Sequence, residues 1–183
     1  LGLYLLIADF IEISKNNSIE DVFDRVNRNS RNLQSQELRH ARFSGWFINF
    51  IELEVQDDFW IKYKITTNAR DKRMRNAQFL SELSMIQLSR EIIGFDQFSI
   101  DEVYAEYDDI LEKSEAGDFI EDDFREELKE LKRTVIDITD KQPDLISVLE
   151  GSNNNFYTLW AYLVYKNNEI SEDFPNKYLT LLK

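Results

Sequence analysis

The residues with the most concentrated chemistry lie between Phe23 and Ala41, "FDRVNRNSRNLQSQELRHA", where four arginines stand against two acids in a chain of net charge −13. Guanidinium forks of Arg25, Arg28, Arg31, Arg39 and Arg42 beside turn amides can form an anion-binding rim for phosphate. The same residues also suit an ordinary helix end. Asn27, Asn29 and Asn32 are what a left-handed turn selects, and the arginines would then be exposed charge. Spacing alone leaves both readings open. A second cluster, "KYKITTNARDKRMRN", places Lys62, Lys64, Arg70, Lys72, Arg73 and Arg75 near Trp60 and Tyr63, which suits a nucleic-acid backbone or a loop.

Other chemistries are excluded or disfavoured by residue type. His40 is the single histidine and cysteine is absent, so neither a Ser-His-Asp triad, a paired-histidine metal site nor a thiolate site can be assembled. His40, between Arg39 and Arg42, reads as a surface or boundary residue. The five glycines are isolated, so no glycine-rich phosphate loop exists. The carboxylate pairs Asp108–Asp109 and Asp122–Asp123 read as solvent-facing acids without a convergent partner.

The elements that would position these groups are mostly helical. Leu3–Ile13 is read as a strand, and Ser18 caps a helix whose buried stripe is Ile19, Val22, Phe23 and Val26. After the turn, "LQSQELRHARF" resumes as helix with Glu37 in its first turn, and Trp46, Phe47, Phe50 and Ile51 mark another apolar face. Further helices are expected over Asn76–Ile93, stopping at Gly94, and from Ser99, paired with Glu102 as a capping box. Phe124, Leu128, Leu131, Val135 and Ile138 predict a long amphipathic helix that could pack antiparallel to the one from Ser99. Asp144–Leu149, Phe156–Tyr165 and a last helix from Pro175 follow. Few glycines and prolines argue against a many-stranded sheet.

Charge divides along the chain. Arg25 to Arg75 carries 11 basic and 6 acidic residues, a net of +5, whereas Asp101 to Glu150 carries 6 and 18, a net of −12. This suggests two faces or two subdomains, or simply acids on exposed helices. With Leu1 first and an apolar opening run, the chain is expected to be a segment of a longer protein. No stretch is apolar enough to span a membrane, and the absence of cysteine suits a cytoplasmic location.

The run "VFDRVNRNSRNLQSQELRHARFSG" resembles the F-x-R-x-N and L-x-x-x-E-L signature in the N-terminal, ParB/sulfiredoxin-like domain of GmrSD-type restriction proteins, which serve in modification-dependent restriction and phage defence. Phe23, Arg25 and Asn27 match the first half, and Leu33, Glu37 and Leu38 the second. More weakly, "RDKRMRNAQFLSEL" is similar to the following R-M-x-D-x-E/F segment, and "IDEVYAEYDD" to a helix of one subgroup. An upstream Asp-Gly-Gln-Gln-Arg motif, tied in the family to nucleotide hydrolysis, has no match here and is expected before Leu1. A C-terminal His-Asn-His nuclease cannot be supplied by a chain with one histidine. Asn76 stands where the family often has aspartate, and Gln34 where a better N-cap is usual.

The resemblance implies a mainly α fold: the residual strand and helices of a truncated α+β ParB/sulfiredoxin-like domain over residues 1–94, then an acidic helical bundle over 95–183. It implies a nucleotide/phosphate site from Asp24, Arg25, Asn27, Arg31 and Glu37, with Glu37 ordering the turn as a capping acid, and DNA contacts from Arg39, Arg42, Lys72, Arg73 and Arg75. The implied cofactor is a nucleoside triphosphate with Mg2+, held only with the missing N-terminal part of the protein. The implied partners are DNA and a second copy, with no membrane. This segment alone is expected to be inactive, while the whole protein would couple nucleotide hydrolysis to DNA cleavage. Two rival functions stay open: a non-catalytic helical protein-interaction module, and an acidic DNA-mimic inhibitor.

Overall fold

The computed structural model describes residues 34–71, 74–92, 96–110 and 119–182. The strand expected over Leu3–Ile13 and the helix from Ser18 lie outside the described residues. From Gln34 onward the chain forms one compact unit, running through the boundary expected near residue 94. Every regular element among the described residues is a helix: α1 Ser35–Arg42, α2 Trp46–Glu54, α3 Asp58–Lys62, α4 Asn68–Asp71, α5 Arg75–Ser89, α6 Gln97–Glu106, α7 Glu121–Lys141, α8 Asp144–Leu149, α9 Asn153–Tyr165 and α10 Phe174–Leu182.

Helix α5 is the axis of the unit, in contact with α1, α2, α4, α6 and α9. It is buried on nearly every side, including Asn76, Ser81, Glu82, Ser84 and Gln87 beside Phe79, Leu80, Leu83, Met85 and Ile86. A helix enclosed on all faces usually needs an apolar surround. Here the polar residues are tolerated because most find partners: Ser81 Oγ donates to the Ala77 carbonyl at 2.7 Å, and Gln87 Nε2 to the Phe124 carbonyl at 2.8 Å.

Two aromatic clusters fill the core. Phe59, Trp60 and Tyr63 meet Phe156 and Trp160 of α9, with ring centroids 5.2 to 6.5 Å apart. Trp46 and Phe50 of α2 meet Phe124 of α7, while Trp46 also touches Phe119 and Tyr107. Such offset and edge-on pairs add about 0.5–1.5 kcal/mol each beyond the area they bury.

Several boundaries differ from expectation, for local reasons. Helix α6 starts before Ser99, because Asp96 rather than Ser99 is the cap: its Oδ2 accepts from Ser99 N at 2.9 Å and Ser99 Oγ at 2.7 Å. Those two bonds hold the Asp96 carboxyl below its ordinary range. Helix α5 ends at Ser89, before Gly94, since Arg90 itself adopts the left-handed conformation (φ 59°). Helix α7 packs on α8, α9 and α10 instead of chiefly on α6. Its apolar stripe is the expected one, Phe124, Leu128, Leu131, Val135 and Ile138.

Candidate phosphate and DNA site around Arg39

Of the residues expected to bind phosphate, Asp24, Arg25, Asn27 and Arg31 lie outside the described residues, as do Lys72 and Arg73 among the expected DNA contacts. Glu37, Arg39, Arg42 and Arg75 are described.

Glu37 acts at the start of α1. Its Oε2 accepts from the Gln34 backbone amide at 2.6 Å, while the Gln34 side chain reciprocates toward the third amide of the helix. This capping box satisfies two amides that a helix start leaves without an internal partner. Glutamine thus serves in place of the serine or threonine usual at such a start.

Arg39 departs from expectation. It is 2% exposed, and its guanidinium is turned into the protein, so it presents no charge to a DNA backbone. Its Nε donates to Asp101 Oδ1 at 2.6 Å, one Nη to both Gln97 oxygens at 3.0 and 3.1 Å, and the other to Gln36 Oε1 at 3.3 Å. Four of the five guanidinium N–H groups are therefore engaged. The guanidinium carbon lies 5.8 Å from the Tyr104 ring centroid, adding a cation–π contact.

The network extends inward. Gln36 Nε2 donates to Tyr104 Oη at 2.7 Å, which also pairs with Ser81 Oγ at 2.7 Å. Burial raises the Tyr104 hydroxyl above its ordinary range, although Ser81, Gln36 and Arg39 oppose the shift. Next to Ser81 on α5, Glu82 is 2% exposed and receives Gln78 Nε2 at 3.1 Å. Burial pushes its carboxyl up to about 7, against the lowering pull of Gln78 and of the Arg39 charge.

At the outer edge of this network, Ser35, Leu38, Arg39, Arg42 and Asp101 line a cleft of about 100 Å3, the size of one small oxyanion or a few waters. Arg42 and Arg75 are exposed, at the end of α1 and the beginning of α5 respectively. His40 is half exposed, with Nδ1 2.7 Å from Glu52 Oε1. Among the described residues, no group of three or more His, Asp or Glu side chains is placed to hold a metal ion. No helix among them is long and apolar enough to cross a membrane.

Comparison with family models, with curated proteins and with solved structures finds no match.

Two features of this region escaped sequence reasoning. Asp108 is a cap rather than a solvent-facing acid: its Oδ1 accepts from Gly45 N at 2.6 Å and Ser44 N at 3.2 Å, and its carbonyl from Trp46 N at 2.9 Å. A side chain at position 45 would place its Cβ 1.7 Å from that carbonyl oxygen, so the close approach requires glycine. Asn76, buried, brackets the turn before α4 by donating Nδ2 to the Thr67 carbonyl at 3.0 Å and accepting from Thr67 N at 3.4 Å. Four of the eight acids of α7 are also matched. Glu121, Glu126 and Glu130 pair with Arg125, Lys129 and Arg133, and Glu127 with Arg90. A long row of unpaired carboxylates, which imitation of DNA would need, is therefore interrupted.

Proposed function

We propose that this chain is part of a DNA-defence protein of the modification-dependent restriction kind, in which it supplies one wall of a nucleotide/phosphate site. The residues that would hold the phosphate are Asp24, Arg25, Asn27 and Arg31, in a ParB/sulfiredoxin-like unit completed by sequence upstream of Leu1. Arg42, Lys72, Arg73 and Arg75 would meet DNA. Residues 34–183 are then a helical platform, and a triphosphate with Mg2+ would need the rest of the protein.

The observation that supports this reading is how the second half of the signature uses its side chains. Glu37 orders the helix start by accepting the Gln34 amide at 2.6 Å. It spends charge on geometry, which is what a helix following a ligand-binding turn requires. The decisive measurement is phosphate or nucleotide affinity, with hydrolysis, in the longer protein carrying Arg25→Ala or Asn27→Ala. Weakened binding is expected in both; unchanged binding and hydrolysis in both removes the proposal.

A second reading, a non-catalytic protein-interaction module, is favoured by one specific observation. The arginine nearest the turn among the described residues is already neutralised by an acid of the following helices, Asp101. Affinity for DNA that falls steeply with salt supports the first reading, whereas binding to a protein partner with no DNA affinity supports the second.

A further inference from the structure

We draw no further inference here: the strongest candidate, the cleft of about 100 Å3 lined by Ser35, Leu38, Arg39, Arg42 and Asp101 at the outer edge of the Arg39 network, belongs to the site already described and carries the Asp101 carboxylate beside a guanidinium already bound to protein acceptors.

Discussion

Arg39 Nε and Asp101 Oδ1 lie 2.6 Å apart, joining the helix that follows the basic turn to the first acid of the chain's negatively charged half. Their environments are unequal: Arg39 is 2% exposed and the Asp101 side chain 44%. Removing the partly solvated acid leaves Arg39 with Gln97 and Gln36, whereas removing the buried cation leaves several acceptors without their donor. Arg39→Met should therefore cost about 3 kcal/mol and Asp101→Asn about 1, read from urea midpoints at constant m-value. Arg39→Lys should recover little, because an ammonium cannot reach Asp101, Gln97 and Gln36 together. Equal costs for the two removals would contradict the asymmetry.

Glu82 makes stability depend on pH with a definite sign. Its carboxyl is raised from 4.5 to about 7 in the folded protein, so the native state binds a proton that the unfolded chain has released. Stability contributed by this group is full below the unfolded value and is lost as pH rises through the folded one. The protein should be more stable near pH 5 than near pH 8, by about 2 kcal/mol from this site. Glu82→Gln should flatten that slope and exceed the parent in stability at the higher pH. A slope unchanged by the substitution would show that other groups cause it.

Gly45 is demanded by space rather than by backbone freedom, since its φ of −85° suits any residue. A methyl there meets the Asp108 carbonyl, which Trp46 N needs, so the 107–109 segment must move and its caps on α2 fail. Gly45→Ala should lower the melting temperature by more than Asp108→Asn, which keeps an acceptor oxygen and should cost only about 1 kcal/mol. Similar effects from the two would mean that the segment moves aside freely.

Asn76→Asp tests the bracket on the 63–68 turn. Aspartate can still accept from Thr67 N, but it faces the Thr67 carbonyl without a proton to donate. A loss of about 2 kcal/mol is expected, with faster amide exchange at Thr66 and Thr67. No loss would show that the turn is held without Asn76.

How much of this was legible beforehand follows from the range of each interaction. The stripe of α7 and the apolar face of α2 could be read because their periodicities are local and their neighbours are apolar whatever the topology. The Glu37 cap was readable for the same reason, lying three residues from its partner. Other features were decided by contacts between distant parts of the chain. No property of "ELRHA" distinguishes an outward from an inward Arg39; its direction is set by Asp101 and Gln97, about sixty positions away. Likewise Asp108 looked like one of many surface acids until folding brought Gly45 beneath it. The sequence by itself determined a helical chain with a basic front, an acidic back and the positions of most helices. Which charges face water, and which are consumed in holding helices together, only the tertiary structure decided, because desolvation and pairing depend on neighbours that sequence separation does not reveal.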